Sequence, residues 1–273
     1  HPDRDRMVVT FAALFESTGF IKQMREIMRI LRESFGMPMD VEFAHDGRNL
    51  HILQCRPQSR LEDEAVSEVP VSLPEERKLF SARKFVNTAR IEGIRTIVYV
   101  DPEGYSQMAS QTEMAAVGDA VSRLNARLPR RSFILMGPGR WGSRGDIRLG
   151  VKATYSDISN AAMLVEIARK IGNYVPDLSF GTHFFQDLVE ARIRYLALYP
   201  AEEGTLFPQV VFTTSPNALA GLLPEYEYLS DVVRVIDVPA VAGGCEMQVV
   251  MDAESERALG FLADQKPGSC LGP

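Results

Sequence analysis

The sequence predicts an α+β protein in two parts, and three observations carry that prediction. Apolar residues recur at helical spacing from about Val8 to Phe35, and two short segments of alternating polar and apolar residues follow across a turn. After a break rich in acids and proline, strand-like and helix-like stretches mix to about Gln265. The expected divisions are a first part at 1–59, a linker at 60–78, a mixed α/β domain at 79–265 and a loose tail at 266–273.

In the first part Ile21, Met24, Met28, Leu31 and Phe35, widened by Ile27, form one apolar stripe in which the methionines read as core filler. Gly19 can bend or divide the helix, and Gly36 with Pro38 stops it. The stripe is expected to pack beneath the hairpin that follows. Asp40-Val41-Glu42-Phe43-Ala44 and Ile52-Leu53-Gln54-Cys55-Arg56-Pro57 read as its strands, joined by Asp46-Gly47-Arg48-Asn49. With a three-residue loop Gly47-Arg48-Asn49, Glu42 lies across from Gln54 and Asp40 from Arg56, which puts all four on one side. Carboxylates supply hard oxygen ligands for Mg²⁺, and arginine supplies a planar fork for phosphate oxygens. The plainer alternative is an exposed hairpin whose acids and arginine pair across the strands.

Pro38-Met39-Asp40-Val41-Glu42-Phe43-Ala44, a hairpin, then Leu53-Gln54-Cys55-Arg56-Pro57 resembles the end of the ATP-grasp nucleotide-binding domain of phosphoenolpyruvate synthase and pyruvate phosphate dikinase. The resemblance implies that Asp40 and Glu42 hold Mg²⁺ on ATP, while Gln54 and Arg56 meet metal and phosphates during transfer. It covers about the first quarter of the chain. The family's lysine-bearing subdomain and glycine-rich lid do not precede His1, so the chain is expected to start inside that domain and to lack the domain's upstream half. Nor is there a Gly-Gly-x-x-Ser-His phosphoacceptor motif or a pyruvate-binding barrel. By itself the fragment is expected to bind Mg-ATP weakly and to transfer no phosphate to pyruvate.

A chain of 273 residues with 45% hydrophobic content is long enough for about two cored domains. Its net charge of −6 argues against nucleic acid or an anionic membrane as partner. No apolar run approaches the roughly 20 residues that cross a bilayer, and the expected compartment is the cytoplasm. Cys55, Cys245 and Cys270 are scattered and odd in number, which points to neither disulfides nor zinc. Cys55 reads as a small buried hydrophobe.

The stretch from Arg60 to Glu76 carries six acids and two prolines and reads as a solvated spacer. Beyond it, Arg95 to Val100 reads as a strand ending in the turn Asp101-Pro102-Glu103-Gly104, and Gln111 to Leu128 as a helix with Met114, Val117, Val121 and Leu124 inward. Ser132 to Met136 reads as a buried strand. The stretch after the next loop reads as an alternating strand to about Tyr155 and a helix from Ile158, capped by Asp157 or Ser156. Strands are expected at Ile193 to Leu198, Val232 to Val238 and Met247 to Met251, with helices near Leu219 and from Glu254 to Ala263.

Two segments of this second part carry chemistry. The loop from Gly137 to Asp146 holds four glycines in ten residues, which frees backbone amides to face an anion, with Arg140 and Arg144 bringing charge. Trp141, the single tryptophan, could stack there on a base or a guanidinium, or pin a tight turn by packing. The spacing fits neither a Walker nor a Rossmann loop. In Ser179-Phe180-Gly181-Thr182-His183-Phe184-Phe185-Gln186-Asp187, Thr182 or Ser179 can cap a helix, leaving His183 in its first turn. Together they form a second candidate anion site: Gly137, Gly139, Arg140, Trp141, Arg144 and His183. Gly-Pro-Gly-Arg-Trp-Gly followed by Gly-Thr-His-Phe-Phe-Gln resembles the C-terminal extension of certain phosphoenolpyruvate synthase-like proteins, a resemblance that implies no chemistry.

The reading is therefore the closing helix and hairpin of an ATP-grasp domain followed by a separate mixed α/β domain. The intact parent would be an ATP- and Mg²⁺-dependent phosphotransferase acting on pyruvate or a related small acceptor. The competing reading is a non-catalytic module that senses an anion or nucleotide through Arg140, Arg144 and His183, and a third gives both loops packing roles only.

Overall fold

Helix α1 (Phe20–Phe35) starts after Gly19 and stops at Gly36, which takes the left-handed conformation at φ 69° and donates its N–H to the Arg32 carbonyl. The computed structural model of the chain describes residues 19–36, 39–46, 49–57, 68–70, 72–142, 147–168 and 178–264. The expected start of the helical region near Val8 and the tail after Gln265 lie outside those residues. On α1 the half-buried positions are Phe20, Met24, Ile27 and Leu31, whereas Ile21, Met28 and Phe35 remain exposed. The stripe is therefore narrower than expected and turned toward Phe20. On the opposite side Arg29 joins Glu26 and Glu33 at 2.6 Å each, in exposed pairs that solvent screens.

Strands β1 (Met39–His45) and β2 (Leu50–Pro57) pair antiparallel. The Phe20 and Phe43 rings meet at 5.3 Å and link helix to hairpin. Cys55 is exposed, against expectation. A lone two-stranded sheet has too little covering layer to bury the residues of its second strand. The chain divides into two compact units, His1–Arg60 and Leu61–Pro273.

In the second unit, β5 (Thr96–Val100), β6 (Phe133–Pro138), β7 (Met163–Ile167) and β8 (Arg194–Leu198) run parallel. With β9 (Val233–Asp237) antiparallel at one edge, the sheet order is β8-β7-β6-β5-β9. Helices α2 (Pro102–Gln107), α3 (Gln111–Arg127), α4 (Tyr155–Ile158) and α5 (His183–Glu190) lie in the connections. Val117, Val121 and Leu124 of α3 are buried with Val98, Leu135, Leu164 and Trp141 in one core. The other face of the sheet is covered by a second sheet, ordered β3-β11-β10-β4. Its strands are β3 (Lys78–Ala82), β4 (Ala89–Ile94), β10 (Glu246–Asp252) and β11 (Arg257–Ala263), and Phe80, Ile94 and Val249 meet Tyr99, Met136, Val165 and Leu196 in the second core. The fold is α+β, with a helical layer, a mostly parallel sheet and an antiparallel sheet stacked in the second unit.

Several sequence expectations are corrected here. The turn at Asp101 opens α2, with the Asp101 carboxylate accepting the Gly104 amide at 2.7 Å. Between the Gly137 loop and Tyr155 there is a single 3-10 turn, Ile147–Leu149, and an isolated bridge Gly139↔Gly150 instead of a strand. Helix α4 ends at Ile158, where one was expected to begin, and Thr154 caps it with Asp157 in a reciprocal capping box. The stretch from Glu254 to Ala263 is a turn and strand β11: Asp252 accepts the Glu254 and Ser255 amides at 3.0 and 3.2 Å and folds the chain back. Strand β7 lies where no strand was expected, because a strand buried on both faces shows no alternation. Val69, within the expected linker, is buried with Val250, Leu259 and Phe261.

Candidate functional site

The hairpin pairs Asp40 with Arg56 and Glu42 with Gln54, so the four positions share one side. The route to that register differs from the expected one. His45 pairs with Leu50, which makes the loop Asp46 to Asn49 four residues long, and Asn49 N donates to Asp46 Oδ1 at 2.7 Å to close it. Left uncorrected, that loop would set Glu42 across from Leu53 and Gln54 across from Val41. A β-bulge cancels the offset: Phe43 pairs with Ile52 and Glu42 with Gln54, leaving Leu53 as the extra residue. Leu53 is 65% exposed, as an outward-pushed bulge residue is. Asp40 is half-buried, while Glu42 and Gln54 are exposed. The Arg56 side chain lies outside the described part of the structure.

In the second unit the loop after β6 and the start of α5 come together. A Cβ on Gly142 would stand 2.0 Å from Phe184 Cγ, so the loop backbone lies directly on the α5 ring. Beneath both sits Glu166 of β7, with no exposed surface. Its carboxylate accepts four hydrogen bonds: from Trp141 N at 2.8 Å, Ser179 N at 2.6 Å, Ser179 Oγ at 2.7 Å and Tyr195 Oη at 2.8 Å. Burial pushes the carboxyl up from its ordinary value, and the bonds from Ser179, Trp141 and Tyr195 pull against that shift. Burial also raises the Tyr195 phenol, with the Glu166 charge adding to it. The backbone amides of the Gly137 loop, expected to face an outside anion, thus include one, that of Trp141, which already faces an internal one.

Trp141 is the second correction. It has no exposed surface and belongs to the helical-side core, so it offers no stacking platform. Gly137 exists to seat it: a Cβ there would lie 2.7 Å from Trp141 Cζ2 and 3.0 Å from Val100 Cβ. Gly139 takes φ 63°, and a Cβ on Gly150 would lie 2.6 Å from Arg140 N. Arg140 is half-buried, with its Nε buried and without a hydrogen-bond partner among the described residues. His183 is the exposed first residue of α5, and Thr182 caps the helix by accepting the Phe185 amide at 3.3 Å. Arg144 lies outside the described residues.

Residues 5–77 match the pyruvate phosphate dikinase AMP/ATP-binding domain family. No curated protein and no solved structure matches the chain. The matched AMP/ATP-binding region contains Asp40, Glu42, Gln54 and Arg56. The Gly137 loop and His183 fall beyond it. Among the described residues no group of three His, Cys, Asp or Glu side chains could hold a metal ion. Two carboxylates on one strand face are nevertheless the donor set suited to Mg²⁺, which keeps waters and takes its remaining ligands from substrate phosphates. No described helix is long and apolar enough to cross a membrane.

Glu166 and Tyr195 were missed in the sequence, and Ser179, expected only as a possible helix cap, bonds Glu166 instead. One signal for them was present: a single acid inside the apolar run Ala161-Ala162-Met163-Leu164-Val165-Glu166-Ile167-Ala168. A carboxylate in such a run needs dedicated donors.

Proposed function

We propose that the first unit supplies part of the nucleotide site of an ATP- and Mg²⁺-dependent phosphotransferase of the pyruvate phosphate dikinase type, working in the cytoplasm on pyruvate or a related small acceptor. The observation that carries this reading is the register of Asp40 with Arg56 and Glu42 with Gln54 inside the region matched to an AMP/ATP-binding domain. Asp40 and Glu42 would hold Mg²⁺, which when bound neutralises phosphate charge. Gln54 donates its amide to a phosphate oxygen and Arg56 offers a bidentate fork to the oxygens on which charge grows during transfer. Because these groups stand fixed on paired strands, little reorganisation accompanies the reaction. The bulge at Leu53 belongs to this machinery as a positioning device.

The test is photolabelling of the full chain with 8-azido-ATP in the presence of Mg²⁺, followed by peptide mapping. Label is expected within 39–57, suppressed by Mg-ATP and reduced about tenfold in Asp40→Asn and Glu42→Gln. Labelling that maps elsewhere, or that both variants leave unchanged, overturns the assignment.

A further inference from the structure

At the β3 and β11 edge of the antiparallel sheet lies a pocket of about 130 Å³, entirely within the second unit. One wall is apolar, built from Val69, Pro70, Leu206 and Leu259, and the other carries Lys78, Arg83 and Arg257. The single acid in the lining, Glu75, is already bonded to Lys78 Nζ at 2.5 Å. Neighbouring cations outside the lining are likewise paired, Lys84 with Glu202 at 2.7 Å and Arg77 with Asp264 at 3.2 Å. Arg83 and Arg257 make no ion pair among the described residues, and both face this pocket.

Arg83 is exposed, and its guanidinium lies against Gly204. Gly204 takes φ 76°, and a Cβ there would stand 2.8 Å from Arg83 Nε and 3.0 Å from Cζ, so the guanidinium rests on bare glycine backbone. Ser81 Oγ accepts the Leu206 amide at 2.9 Å and donates to the Gly204 carbonyl at 3.4 Å, which ties that segment to β3. Two guanidiniums in one pocket, one of them against bare glycine backbone, and an apolar wall suit a ligand with a strongly anionic head and a small organic body. Two guanidiniums match the double charge of a phosphoryl dianion, whose three oxygens can meet both forks, better than the single charge of a monocarboxylate.

We propose that this pocket binds the phosphoryl group of a small molecule, with its oxygens on Arg83 and Arg257 and its organic body on Val69, Pro70 and Leu206. The site is separate from the hairpin, and a ligand without a nucleoside tests it alone. Calorimetry on the full chain with phenyl phosphate, inorganic phosphate and benzoate decides the matter. Both phosphates are expected to bind saturably and benzoate far more weakly. Tighter phenyl phosphate marks a phosphoester as the natural class, and equal affinity marks free phosphate. Arg83→Ala and Arg257→Ala should each weaken phosphate binding about tenfold or more, Arg83→Lys less so, and Arg90→Ala, on a strand away from the pocket, not at all. Gly204→Ala should weaken it as well by displacing Arg83. The proposal is overturned if neither phosphate saturates, if benzoate matches phenyl phosphate, or if the two alanine variants keep wild-type affinity.

Discussion

Glu166 shows what a single buried acid can organise: two backbone amides and two hydroxyls from three separate segments converge on its two oxygens. Replacing it by alanine strands those four donors, at a cost on the order of 3 kcal/mol in chemical denaturation. Glu166→Gln keeps the shape but turns an amide donor toward donors, and about 1–3 kcal/mol should be lost. A glutamine variant as stable as wild type would mean that the native carboxyl is protonated. The same residues show where sequence reading succeeds and stops. The glycines after β6 were legible as positions needing bare backbone. What they make room for was not, because the indole of Trp141 and the phenyl ring of Phe184 fill that space only once β6 and α5 are packed.

Among the elements, those legible in the sequence were α1, α3, the hairpin strands and β5, β6, β8, β9 and β10, which stand close to their expected places, while β3 and β4 carried no expectation. Strands β7 and β11 were not legible, since one is apolar on both faces and the other follows an acid-rich turn that imitates a helix start. Helix α4 is a single turn whose existence rests on its cap. Burial alone would raise the Asp157 carboxyl, but the bonds from Thr154 and Ser122 outweigh it and hold the group below its ordinary value of 3.8. A lowered carboxyl stabilises the fold above its unfolded-state pKa and loses that contribution as pH falls through the folded one. Asp157→Ala should therefore cost about 1 kcal/mol at neutral pH. Urea melts along an acid series should show the gap from wild type closing below pH 3.8. A gap constant with pH would place the effect in packing instead.

For the whole molecule, the parallel sheet of the second unit is shared by two cores, one on each face, so each of its strands answers to both. Among the described residues, both cores are built from that unit alone. A chain of residues 61–273 should keep the blue-shifted, quencher-shielded emission of its buried Trp141, and lose it in one transition with denaturant. Red-shifted emission from that shorter chain would show that the core depends on the first unit. The hairpin's four positions were legible because pairing and alternation are local. The bulge was not, because alternation alone cannot say which of two neighbouring residues is expelled.

That bulge makes the hairpin a two-part parity code. The turn is one residue longer than the expected three, and Leu53 absorbs the difference. With every residue kept, removing either correction by itself would flip Gln54 and Arg56 to the far side while leaving the acids where they are, and removing both together would restore the arrangement. Deleting Leu53 itself should therefore remove the bulge and still leave Gln54 across from Glu42, whereas straightening the bulge with Leu53 kept would move Gln54 to the far side. In related chains whose hairpin has this same number of residues, tip length and the presence of an expelled residue should change together, so that a turn of either length still delivers the same four side chains to the same side.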